Sequence, residues 1–195
     1  MKISIGMLLW VVACGGGTSE DSGTPTTGSD ESTVDTQDSG ADEPSTSTWG
    51  TGPFADYCHV QWPCSTNAEA GAETEAVYVW VYHGGTTDAV GQGPGIRVEV
   101  GHGADGSTPP DASWNWFEAA YNEDKDGLYP SDVSNDEYQG TMTAPTASGA
   151  YDFAARVSID AGATWMACDL GGESCPGVGS DDGYDSGSAG ELVVP

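Results

Sequence analysis

Val77-Tyr78-Val79-Trp80-Val81-Tyr82 alternates without a break between a β-branched residue and an aromatic one. In an extended chain successive side chains point to opposite faces. The valines therefore take one face and the aromatics the other. Both residue types suit a pleated surface, and a period of two over six residues predicts a strand. Ile96-Arg97-Val98-Glu99-Val100 repeats the pattern with charged residues on one side. Tyr151-Asp152-Phe153-Ala154-Ala155-Arg156-Val157-Ser158-Ile159 does so with its odd-numbered members turned to the core.

Shorter runs of the same kind surround these three. They are Cys58 to Trp62 before Pro63, Trp114 to Tyr121, Glu137 to Thr143 before Pro145, Trp165 to Leu170, and Leu192 to Val194. Gly, Pro, Asp and Asn separate them, and no helical period with caps stands out. The reading is an all-β domain of about eight strands, an antiparallel β-sandwich of immunoglobulin-like or carbohydrate-binding-module-like type. A closed barrel is the alternative. Residues 53–195 have the length of one ordinary domain.

The amino terminus reads differently. Lys2 precedes the apolar run Ile3 to Ala13, a charged start and a short hydrophobic stretch of the kind that forms a secretory signal. A bilayer-spanning helix needs about 20 apolar residues, and this run is shorter. Val11-Val12-Ala13-Cys14 closes it and resembles the lipobox of bacterial lipoproteins. That resemblance implies removal of residues 1–13, a diacylglycerol on the Cys14 thiol and an acylated new terminus. Several acyl chains acting together hold a protein firmly, because each buried methylene contributes about 0.8 kcal/mol. By the sorting rule of Gram-negative lipoproteins, Gly15 after the cysteine implies the outer membrane over the inner one. An ordinary signal peptide cut elsewhere is the other reading.

Residues 14–52 are rich in Ser, Thr, Gly, Asp and Glu, with Val34 and Trp49 nearly the only bulky apolar members. Such a segment has too little to bury to offset its chain entropy, so it is expected to be a disordered acidic linker. The whole chain carries four Lys and Arg against 31 Asp and Glu, a formal charge of −27. That charge repels phosphate backbones and anionic headgroups, which excludes nucleic acid as a partner.

Beyond Cys14 there are four cysteines: Cys58, Cys64, Cys168 and Cys175. An even number in an exported domain points to two disulfides. The gaps of five and six residues within each half are wider than the usual zinc hooks, and His59 is the only histidine nearby. Of three possible connectivities, Cys58–Cys168 with Cys64–Cys175 is favoured because it stitches the first strand to a late one. Local pairs 58–64 and 168–175 are the alternative.

Ser158-Ile-Asp160-Ala-Gly162-Ala-Thr164-Trp165 resembles the Asp-box hairpin of sialidases and other secreted β-rich proteins. In those families the box is structural, stands away from the catalytic site and is usually repeated. Its single occurrence here implies β architecture and gives no ground for expecting a sialidase. A broader resemblance runs through Cys58 to Pro63, Asn135 to Tyr138, Gly149 to Phe153, the Asp-box and Cys168 to Gly171. In that order they are similar to β-sandwich accessory repeats of large extracellular proteins from bacteria with complex surfaces, myxobacteria among them. The similarity spans most of residues 54–186 and implies a fold and an accessory role.

Two constellations bear on ligands. Tyr78, Trp80 and Tyr82 form a flat stacking platform for sugar rings if their face is open, and the second side of a central strand if it is covered. Trp114 and Trp116 also share a face and carry the same two readings. Asn122-Glu-Asp124-Lys-Asp126-Gly127 resembles the opening of a calcium loop, with Asp132 as a further oxygen ligand. The closing Glu of such a loop is missing, since the twelfth position is Val133, and a solvated acidic turn accommodates the same residues. Ser180 to Asp185 is a second acidic turn. No catalytic residues emerge: His59, His83 and His102 lack metal-binding spacing, and no nucleophile sits in a recognisable elbow. The functional expectation is a surface-anchored, non-enzymatic lipoprotein whose domain binds polysaccharide. A structural envelope protein with no soluble ligand is the alternative, and a small secreted hydrolase a third.

Overall fold

In a computed structural model the chain is described at residues 48–49, 52–125, 133–176 and 183–195. The signal segment, Cys14 and nearly all of the linker lie outside these residues, as do Asp126, Asp132 and Ser180 to Asp182. Among the described residues ten strands follow one another: β1 (Thr48–Trp49), β2 (Tyr57–Trp62), β3 (Ser65–Asn67), β4 (Val77–Tyr82), β5 (Arg97–Ala104), β6 (Asn115–Lys125), β7 (Asn135–Gly140), β8 (Gly149–Ser158), β9 (Thr164–Cys168) and β10 (Gly190–Val194). Among the described residues the only helical element is a 3-10 turn at Ser186–Ser188. The all-β expectation holds.

One path of hydrogen-bonded strands, β1-β9-β8-β5-β6-β7-β4-β2, contains most of the fold, with β10 beside β8 and β3 beyond β10. The neighbours are antiparallel except for β1 with β9 and β3 with β10. β6 makes two layers out of this path. Its Asn115–Ala119 half pairs with β5, and its Ala120–Lys125 half pairs with β7. Ala119 and Ala120 sit at the changeover, where Gly140 packs against the Ala119 backbone. Small side chains let the strand pass from one layer to the other. A register shift between Tyr121 and Glu123 follows at once.

The curl brings the two ends of the path together. Val60 in β2 donates its N–H to Asp169 O (2.7 Å) and accepts from Gly171 N (2.9 Å), just beyond β9. Cys58–Cys168 bridges the same seam with Cα atoms 5.8 Å apart, and Cys64–Cys175 lies beside it at 5.6 Å. The favoured connectivity is therefore the one present. Val60, Val77, Val79 and Val81 enter one core with Val98, Val100, Phe153, Ala155, Val157, Leu192 and Val194.

The Asp-box turn is built as its residues suggest. Asp160 accepts from Thr164 N (2.9 Å) and Thr164 Oγ1 (2.7 Å), and Ser158 Oγ accepts from Gly162 N (2.8 Å). Gly162 takes φ 99° there. Trp165 is buried beside it. The Thr164 hydrogen bond holds the Asp160 carboxyl below the usual carboxylate range.

β1 and β3 were not legible as strands. Thr48–Trp49, in the stretch read as linker, pairs with Thr164–Trp165 of β9. Ser65–Asn67 is polar and pairs with Glu191–Val193 of β10. β7 ends at Gly140, earlier than the expected run to Thr143, yet Met142 is buried and bonded through its backbone to Thr74.

Candidate functional site

The outer face of the β2–β4–β7 layer carries an aromatic band. In β4 the valines are fully buried, and Tyr78, Trp80 and Tyr82 are half-buried. Register places Tyr57 opposite Tyr82, His59 opposite Trp80 and Trp62 opposite Tyr78. The β2 bulge between Val60 and Trp62 sets the last of these pairs and turns the indole outward, 54% exposed.

Cover differs from rung to rung along the band. His59 is buried, with Tyr57 edge-on at 5.0 Å and Trp80 at 5.4 Å. Gly171 presses directly on its imidazole, where a Cβ would have no room. The disulfide-held segment after β9 therefore covers the His59–Trp80 rung. Glu137, opposite Trp80 on the same rung, is nearly inaccessible, with Trp80 Nε1 donating to it at 3.2 Å, Asn122 Nδ2 at 2.6 Å and Lys125 Nζ 3.5 Å away. A buried carboxylate with three donors is satisfied and fixes the rotamer of Trp80. The more open rung is Trp62 beside Tyr78, next to Gln139 of β7.

Trp114 and Trp116 belong to the other layer, and their rings are used in packing. They stack at 5.2 Å, with Tyr184 edge-on to Trp114 at 5.9 Å. Arg156 lies over Trp116 (4.7 Å) and Trp165 (4.3 Å), and its Nε donates to Glu99 (2.6 Å). Guanidinium between two indoles gains cation–π attraction on both faces. The rings lie flat because Gly101 and Gly103 leave space beneath Trp116 and Trp114. Trp114 is buried, so its ring presents no stacking face to solvent.

The segment read as the start of a calcium loop is strand up to Lys125. The bulge splits its members between two faces. Asn122 bonds Glu137 on the outer side, whereas Asp124 accepts from Gly91 N (2.9 and 3.1 Å) and from Tyr121 Oη (2.6 Å). Burial and the neighbouring Asp124 push the Tyr121 hydroxyl up to about 12. Asp136 lies opposite Asp124 across β6 and β7, fully buried, and accepts from Gly93 N at 2.8 Å. Burial raises its carboxyl above the usual range. These two aspartates hold the Gly91–Gly93 loop, a role that spacing within one strand could not reveal. Among the described residues no group of three or more His, Cys, Asp or Glu converges on a metal-sized site.

The sequence marks Trp62 as a site only faintly. Its signal was Gln61-Trp62-Pro63, a large aromatic at a strand's end where proline stops the ladder. Compared with known proteins, the chain matches no family model and no curated protein.

Proposed function

We propose that this chain is a surface-anchored, non-enzymatic lipoprotein whose β domain binds polysaccharide on the Trp62–Tyr78 face. The observation that carries the reading is the 54% exposed indole of Trp62 beside Tyr78, on a face whose aromatics continue through Trp80 and Tyr82. Neighbouring aromatic faces on a sheet suit sugar rings, and a contiguous exposed apolar patch marks an interaction site. The chain's charge of −27 favours a neutral glycan over an acidic one. Two disulfides support export to an oxidising compartment. The lipobox-like Val11–Cys14 supports anchoring by acyl chains at Cys14.

A glycan array probed with the full chain tests the ligand class. Binding to neutral polysaccharides that is lost in Trp62→Ala/Tyr78→Ala is the expected result, and binding unchanged by the double substitution contradicts it. Mass spectrometry of the protein from its host tests the anchor. The mature mass begins at acylated Cys14; an intact Met1 with an unmodified thiol contradicts that part. The second reading, an envelope protein with no soluble ligand, draws support from the His59–Trp80 rung, where Gly171 covers part of the aromatic face. It predicts an array with no binding.

A further inference from the structure

A second candidate site lies beside β5, β6 and β8. β5 lines the core with Val98 and Val100, and the next residue on that face is His102, opposite Asn115 of β6 and Phe153 of β8. There a recess of about 310 Å³ opens, lined by His102, Ser113, Asn115, Thr146, Ala147 and Tyr151 among others. We infer that this recess binds a single neutral, hydroxyl-rich ring, such as the terminal sugar of a glycan.

The lining selects that class. In a chain of charge −27, none of the described residues lining the recess is Asp, Glu, Lys or Arg. A cation finds no carboxylate in it and an anion no positive charge. His102 Nε2 lies 3.0 Å from Thr143 O. A carbonyl only accepts, so Nε2 carries the proton. Burial keeps the imidazole's pKa below its ordinary value, so the ring is neutral and Nδ1 keeps its lone pair. Phe117 and Tyr151 bracket that ring at 5.8 and 6.1 Å.

Asn115 Nδ2 donates to Ser113 O (3.2 Å), leaving Oδ1 as a second acceptor. Tyr151 is fixed as a wall by donating to Ala147 O (3.0 Å). Ser113 and Thr146 add hydroxyls that can both donate and accept. The volume is at the small end of ordinary ligand pockets, about 300–1,000 Å³, which suits one ring and not a chain.

The ligand class rests on the polysaccharide reading, and the place does not. Saturation-transfer NMR on the full chain, with millimolar methyl β-glucoside, methyl β-galactoside, methyl α-mannoside or N-acetylglucosamine, tests it. With the outer face removed by Trp62→Ala/Tyr78→Ala, at least one sugar still receives transfer, and adding Ala147→Trp lowers it about tenfold or more by filling the recess. Should Ala147→Trp fail to fold by thermal melting, Asn115→Ala takes its place, with the same loss expected. No transfer to any of these sugars, or undiminished transfer in the substituted protein, overturns the inference. Polysaccharide binding that persists while monosaccharide transfer is absent removes only the recess. Monosaccharide transfer without polysaccharide binding removes only the outer face.

Discussion

Trp62 and Tyr78 stand opposite each other across β2 and β4, and Trp62 is the most exposed aromatic of the band among the described residues. Their pairing depends on the extra residue inserted at Gln61, which brings Trp62 to the face it shares with Tyr78. On the next rung, where His59 faces Trp80, Gly171 seals the imidazole. The contrast between these two rungs locates the binding face.

The two disulfides are not independent. Cys58–Cys168 alone closes a loop of 110 residues, worth roughly 4–5 kcal/mol in the chain-entropy model. With it closed, Cys64–Cys175 adds a loop of only about a dozen residues, worth roughly 3 kcal/mol. Replacing either pair by alanine is therefore expected to cost about 3 kcal/mol, and replacing both about 7–8. Urea unfolding of the single-pair and double-pair variants checks this; equal steps of 4–5 kcal/mol would show that the bridges act separately.

Gly101 has no room for a side chain. A Cβ would lie 2.6 Å from Asn115 O and collide with the Trp116 ring. Gly101→Ala should destabilise by about 1–3 kcal/mol, the usual cost of overpacking, and shift tryptophan emission as the Trp116–Arg156 stack opens. A stability and spectrum like the wild type's would mean that the ladder is loose.

Stability should fall in acid in a way traceable to Asp160. Its carboxyl is held below the unfolded value of 3.8 by the Thr164 hydrogen bond. Its contribution is full above that value and lost as pH falls through the lower folded pKa. Asp136 has the opposite sign: burial raises its pKa, so its contribution is full at low pH and lost as pH rises through the folded value. Asp160→Asn should flatten the melting temperature below pH 4, and Asp136→Asn should flatten the decline above it. Unaltered profiles in both would contradict these assignments.

The long strands were legible because each buries one face, which imposes a period of two on the sequence. Val77–Tyr82 and Tyr151–Val157 are the clearest. β3 was not, because Ser65–Asn67 is held by backbone pairing to β10, and backbone bonds leave no side-chain pattern. The platform was half legible. The alternation in β4 named Tyr78, Trp80 and Tyr82, but their exposure depends on β2 and the segment after β9, which are distant in sequence. Trp114 and Trp116 looked equivalent to them. What separates the pairs is Arg156 and Tyr184, brought over the second pair by the fold alone. Of the residues expected in a calcium loop, Asn122 and Asp124 fall on a bulged strand that turns them to two faces, and Asp126 and Asp132 lie outside the described residues.

Oxidative footprinting with neutral polysaccharide bound to the full-length chain locates the contact directly. Trp62 and Tyr78 should become protected, with Trp116 and Trp165 unaffected. Protection confined to Trp116 or Trp165, or no change at Trp62 under saturating polysaccharide, would place the ligand elsewhere and contradict the proposed face.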